Sequence, residues 1–247
     1  MNVAAAAFVL APALAFGSFL NVVVARVPAR RSILRPPSSC GSCGSEILWR
    51  DNVPLVSYAL LRGRCRHCDT RISPTYPLVE GVSALLIVAC FAVSGVTAEA
   101  ALAAGCCAVL VVLSVIDAID RIVPNRIVVP AAGLALLAHT AIEPSIAWLV
   151  WALVAAGAVF LVALAYPNGR RMGDVKLALL LGAVLGSTVT VALMLGLLAA
   201  LVAAAVLALR RRSVRRMGVP LVPFVTLGAV VALFSGGAIL DSYFGLF

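Results

Sequence analysis

All 19 lysines and arginines of this chain fall in four segments, 25–77, 119–126, 167–176 and 210–218, which hold 9, 2, 3 and 5 of them. Between these segments lie long apolar runs: 1–25, 78–97, 100–118, 126–142, 146–166, 175–188, 190–209 and 219–240. Most approach the roughly 20 residues that a helix needs to cross a bilayer. With the amino terminus outside, every basic segment lies on the cytoplasmic side, and the outer segments carry Glu99, Glu143 and Asp241 but no basic residue. This is the positive-inside pattern without an exception. Only Gly186-Ser-Thr separates 175–188 from 190–209. Merging those two runs would send the five arginines of 210–216 to the wrong side, so they read as two spans.

The expected fold is therefore an all-α polytopic membrane protein. It has about eight transmembrane helices and a small cysteine-rich cytoplasmic domain between helices 1 and 2. The domain reading is 1–25 as helix 1, 26–77 as a zinc-knuckle-like domain and 78–247 as a seven-helix membrane domain. The composition agrees: 12% of residues are charged, against roughly a quarter in soluble domains. The net charge of +9 then describes orientation and contact with anionic lipid headgroups. It does not describe nucleic-acid binding, for which an aromatic-interleaved basic patch is lacking. Residues 1–25 have no basic n-region, so the segment reads as a retained helix rather than a cleaved signal, although Ala13-Leu-Ala15 imitates a cleavage site.

Segment 26–77 holds two regularly spaced cysteine pairs, Cys40-Gly-Ser-Cys43 and Cys65-Arg-His-Cys68, separated by 21 residues. Each pair can occupy one edge of a tetrahedral site, and binding a metal would fold a segment too polar for its own core. Zinc is the expected ion; two disulfides are the alternative and need an oxidising side. His67 reads as a solvated spacer. Cys90, Cys106 and Cys107 fall in apolar runs and read as small hydrophobes.

Two carboxylates stand where membrane helices should end or begin. Asp117 closes the third run ahead of Asp120, Arg121 and Pro124-Asn125, and Asp174 opens the sixth in Gly173-Asp-Val-Lys176. Ionisable groups at membrane depth are costly and mark function. Facing aspartates point to aspartic proteolysis, in which one activates water and the other donates a proton. Asp120 could share the face of Asp117 or, equally, be a solvated partner of Arg121. Pro124 stops the helix, and Asn125 is expected to cap the next one. Lys176 reads as a snorkelling anchor. Asn21 is open between a helix–helix hydrogen bond and a functional role, and Glu80 has no obvious partner. His139 lies near the outer end of its span, away from any nucleophile. The helix dipoles favour a proton on Asp117, at a carboxyl end, and charge on Asp174, at an amino end.

Together these residues resemble the type IV prepilin peptidases, the bifunctional leader peptidase/N-methyltransferases. Gly17-Ser-Phe-Leu-Asn-Val-Val-Val-Ala-Arg-Val-Pro28 is similar to the family's opening signature. The paired cysteines around Trp49-Arg-Asp-Asn-Val-Pro54 and Leu61-Arg-Gly-Arg-Cys65 are similar to its cytoplasmic domain, and Tyr76-Pro-Leu-Val-Glu80 to its exit. Asp117 with Pro124-Asn125, and Gly173-Asp174-Val-Lys176, resemble its two aspartate motifs. The resemblance implies that Asp117 and Asp174 are catalytic. It implies prepilin or pseudopilin substrates, cut after a glycine in the bacterial cytoplasmic membrane. It also implies S-adenosylmethionine as donor for methylation of the new amino terminus. The family pattern Gly-x-Gly-Asp is broken here by Arg171, with the next upstream glycine at Gly169. Donor-binding residues are unknown; Gly63 is a candidate only for close backbone approach. A peptidase without methyltransferase activity, a small transporter with a zinc-stabilised domain and a non-catalytic scaffold are the alternatives. Glu46, Asp51 and Asp69 are the acidic groups that could receive a basic leader.

Overall fold

A computed structural model describes residues 3–165, 172–209 and 219–244. Its α-helices are α1 (Val3–Arg26), α2 (Val56–Leu60), α3 (Thr75–Ser94), α4 (Ala98–Asp120), α5 (Asn125–Ile142), α6 (Ala147–Ala165), α7 (Met172–Leu185), α8 (Val189–Leu209) and α9 (Val222–Phe244). Short 3-10 turns lie at Trp49–Asp51 and Gly186–Thr188. Among the described residues there is no strand, only two isolated bridges, Ser39 with Glu46 and Arg64 with Arg71. The chain is an all-α polytopic membrane protein with a cysteine-rich segment between its first two long helices.

Among the described residues, seven apolar stretches are long enough to cross a membrane, and the longest of them, Met172–Leu209, has 38 residues. It is not one helix. Gly186 turns with φ +56°, a conformation that costs glycine little. At the start of α7, a Cβ on Gly173 would lie 3.0 Å from Cβ of Val123; just past its end, one on Gly186 would lie 3.0 Å from the Trp148 ring of α6. α8 then returns antiparallel to α9, with Thr188 beside Gly236, Ala192 beside Gly228 and Gly196 beside Val225. The start of α9 meets Asp117, at the end from which α7 departed. The division that charge predicts at Gly186 is present, and hydropathy alone misses it.

The chain packs as two units that divide within α4, residues 1–112 and 113–247. In the first, α1 lies along α3. Gly17 makes the closest approach: a Cβ there would come within 2.9 Å of Cα of Glu80. In the second, α6 and α5 pack on α7, and α8 packs on α9. Small residues again permit these crossings, as is usual where apolar packing must hold helices in lipid. A Cβ on Gly182 would lie 2.6 Å from Cα of Ala152.

The helix ends follow local chemistry. Thr97 Oγ1 accepts the Ala100 N–H at 3.1 Å ahead of α4, a side-chain cap. α4 closes on Arg121, at φ +56°, whose N–H returns to the Asp117 carbonyl at 3.0 Å, the left-handed stop described for helix ends. Asn125 is not the cap of α5. Pro124 holds that position in extended backbone, without a side-chain cap, because proline there dictates the entry angle.

Candidate active site and metal centre

The cysteine segment is built from two similar knuckles. In one, the Cys40 N–H donates to the Ser45 carbonyl at 2.9 Å and the Gly44 N–H to the Cys40 carbonyl at 2.9 Å. In the other, the Cys65 N–H donates to the Thr70 carbonyl at 2.9 Å and the Asp69 N–H to the Cys65 carbonyl at 3.0 Å. Gly44 and Asp69 occupy matching positive-φ positions, at +72° and +56°. The turns bring the Sγ atoms of Cys40, Cys43, Cys65 and Cys68 within 4.8 Å of one another. Cys40 and Cys68 are 3.7 Å apart at sulfur. Zn–S bonds of ~2.3 Å in a tetrahedron put sulfurs about 3.8 Å apart, so the four thiols fit a metal ion such as zinc.

Hydrogen bonding prepares two of these thiols for the anionic form that binds metal. Main-chain N–H groups of Cys43 and Ser42 lower Cys40. The hydroxyl and N–H of Ser45 bring Cys43 to about 6. His67 is exposed, as a spacer should be. Gly63, at φ +67°, is filled from within the segment: a Cβ there would lie 2.9 Å from the Tyr58 hydroxyl. Two of the three acidic groups considered for a basic leader are taken by neighbours. Arg66 binds Asp51 through both of its oxygens at 2.5 to 3.1 Å, which holds that carboxyl below its ordinary range. Arg64 lies 2.6 Å from Asp69.

Asn21 and Glu80 belong to one buried cluster. Asn21 Nδ2 donates to the Tyr76 carbonyl at 3.1 Å and to Glu80 Oε1 at 3.5 Å. The Leu55 N–H donates to Glu80 Oε2 at 2.9 Å. Asn21 is thus a helix–helix hydrogen-bond donor, and Glu80 has partners that the sequence did not reveal.

The aspartates belong to the other unit. Asp117 is 8% exposed on the last turn of α4, and its Oδ2 accepts the Val222 N–H at 3.0 Å. Asp174 is half-buried in the first turn of α7. Beside it, Gly173 rests on Val123, in the connector that follows Asp117. Lys176 Nζ donates to Asn125 Oδ1 at 2.7 Å. Lys176 is therefore a tie between α7 and α5, not a free anchor. Asp120 is exposed. Arg171 and Gly169 lie outside the described residues. His139 stacks on Trp148, with ring centroids 3.8 Å apart, towards the opposite end of α5. The dipole argument for unequal aspartates is weakened: Asp117 ends α4 but also receives the amino end of α9, so both carboxylates stand at helix amino termini.

Comparison with known proteins gives a consistent picture. Residues 12–94 match the bacterial peptidase A24 N-terminal domain, and residues 104–209 match the type IV leader peptidase family. A prepilin leader peptidase/N-methyltransferase of Burkholderia pseudomallei is 32% identical over 93% of this chain and 85% of its own. Its counterpart in Bacillus subtilis is 31% identical over 93% and 94%. That of Myxococcus xanthus is 46% identical over 53% of this chain and 40% of its own. No solved structure matches. On these similarities the chain belongs to the type IV leader peptidase family.

Proposed function

We propose that this protein removes the leader of prepilin-like proteins by aspartic proteolysis and methylates the new amino terminus. The supporting observation is the pairing of a nearly buried carboxylate, Asp117, with a helix start bearing Asp174 that packs against the connector six residues farther on. The relatives' printed names supply the substrate class and the second activity. S-adenosylmethionine is the methyl donor that the activity requires. The basic segments face the bacterial cytoplasm, and the lipid bilayer holds the substrate's apolar helix beside the site.

In the cleavage step, one aspartate is ionised and the other protonated, since adjacent carboxyls do not both ionise. The carboxylate takes a proton from water as the water oxygen attacks the scissile carbonyl carbon. The acid gives its proton to the carbonyl oxygen. The tetrahedral diol then collapses as the C–N bond breaks: the amine leaves with the proton first taken from water, and a diol hydroxyl returns its proton to the other aspartate. In the metal centre, Cys40, Cys43, Cys65 and Cys68 would hold zinc, which would supply a structural crosslink to the segment.

The test is cleavage of a purified prepilin, with and without methyl donor. Asp117→Asn and Asp174→Asn should each nearly abolish cleavage, while Asp120→Asn should retain most of it. Full activity in either of the first two removes the dyad. Cleavage without methyl transfer leaves the peptidase alone.

A further inference from the structure

The amino end of α9 presents few free donors. Helices begin with N–H groups that lack partners. Here Pro223 has none, and the Phe224 N–H returns to the Leu221 carbonyl at 3.1 Å. The Val222 N–H crosses to Oδ2 of Asp117 at 3.0 Å, joining residues 105 apart in sequence. Asp117 thus caps a helix to which it does not belong. One turn deeper, Ser114 Oγ and Thr226 Oγ1 are 2.7 Å apart. Residues 114 and 117 share a face of α4, and 222 and 226 share a face of α9. The two contacts fix the axial register of one helix on the other. Val222 is 1% and Thr226 8% exposed, so water does not readily replace either contact.

We propose that the first turn of α9 is the positioning element for Asp117. The Val222 N–H holds Oδ2, so Oδ1 is the oxygen presented to water or substrate and the one that carries the shared proton. An aspartate's terminal torsion is broad when nothing restrains it; this N–H selects one setting, and the Ser114–Thr226 pair keeps the donor at the right height. The inference rests on the reading of Asp117 as a reacting carboxylate.

Two substitutions at one site separate the N–H from its side chain. Val222→Pro deletes the donor at the first helical position, where proline is well accommodated. Val222→Ala keeps the donor and loses only methyl groups. In full-length protein cleaving a prepilin, Val222→Pro should lower kcat between about ten- and a hundredfold, the scale of a misplaced reacting group, with KM little changed. Val222→Ala should stay close to the parent. Equal kcat in the two variants overturns the proposal. If Val222→Pro does not fold, Thr226→Val decides: a lower kcat at unchanged KM supports it, and an unchanged kcat overturns it. Asp117→Asn, measured alongside, tests the underlying reading separately. If that variant is fully active, Asp117 is not catalytic; if it is inactive while Val222→Pro matches Val222→Ala, only the positioning role fails.

Discussion

Oε2 of Glu80 accepts the main-chain N–H of Leu55 at the centre of a strained reversal. Leu55 has φ +59° and ψ −45°, and the Val56 N–H reaches back to the Pro54 carbonyl at 2.6 Å. This is the rare positive-φ γ-turn, unfavourable for a branched side chain by roughly 1–3 kcal/mol. The Glu80 carboxylate also takes the Asn21 amide. A single buried acid therefore joins α1, α3 and the segment between the two cysteine pairs.

Replacing Glu80 by alanine should release that reversal. The Leu55 N–H would lose its acceptor, at a cost of about 1–3 kcal/mol for a buried donor. Hydrogen exchange should quicken at Leu55 and Val56, and thermal stability should fall, while amides of α8 and α9 stay protected. Unchanged protection at Leu55 would show that Glu80 does not hold the turn.

The four thiols should bind one zinc per chain under reducing conditions. Cys43→Ser should remove most of it and loosen residues 38–72 to protease, with the long helices intact. Methyl transfer should drop further than cleavage, since both aspartates lie in the other unit. Metal analysis of the purified parent is the check; a chain free of stoichiometric metal contradicts the site.

Gly173→Ala should press a methyl group on Val123, whose Cβ would be 3.0 Å away. Lys176→Met should remove the bond to Asn125. Each should lower kcat for cleavage several-fold without unfolding α7, and the two together should exceed either alone, because both contacts seat the same turn beside Asp174. Circular dichroism and single-turnover kinetics measure this. Parent-like kinetics in the double variant would mean that the turn needs no such seating.

Orientation is open to direct measurement. A reporter fused after Phe247 should be active only outside the cytoplasm, and Cys43 should react with a membrane-impermeant thiol reagent only in inverted vesicles, after metal removal. A cytoplasmic signal at the carboxyl end contradicts the eight-helix arrangement.

Much of this was readable from local pattern. The cysteine spacing announced the cluster of four thiols, because each pair closes within a few residues. The charges located the break at Gly186, because orientation is a property of segments. What escaped were contacts between distant residues whose types gave no sign of them. Val-Pro-Leu-Val holds no glycine to announce a positive-φ turn at Leu55. Val222 offers only a main-chain N–H, which every residue but proline possesses, so its approach to Asp117 left no mark in composition. Lys176 and Asn125 were each assigned a local role, anchor and cap, when their partner was each other.

The brevity of α7 carries a consequence for what surrounds it. The helix has 14 residues, about 21 Å at 1.5 Å per residue, against a hydrocarbon layer of about 30 Å. Eight of those residues, between Leu177 and Leu185, are buried, with α5 and α6 packed on the helix, so protein rather than lipid meets most of its apolar length. A short span is tolerated at membrane depth where protein encloses it, and the shortfall then falls on the packing partners of α7 rather than on the acyl chains.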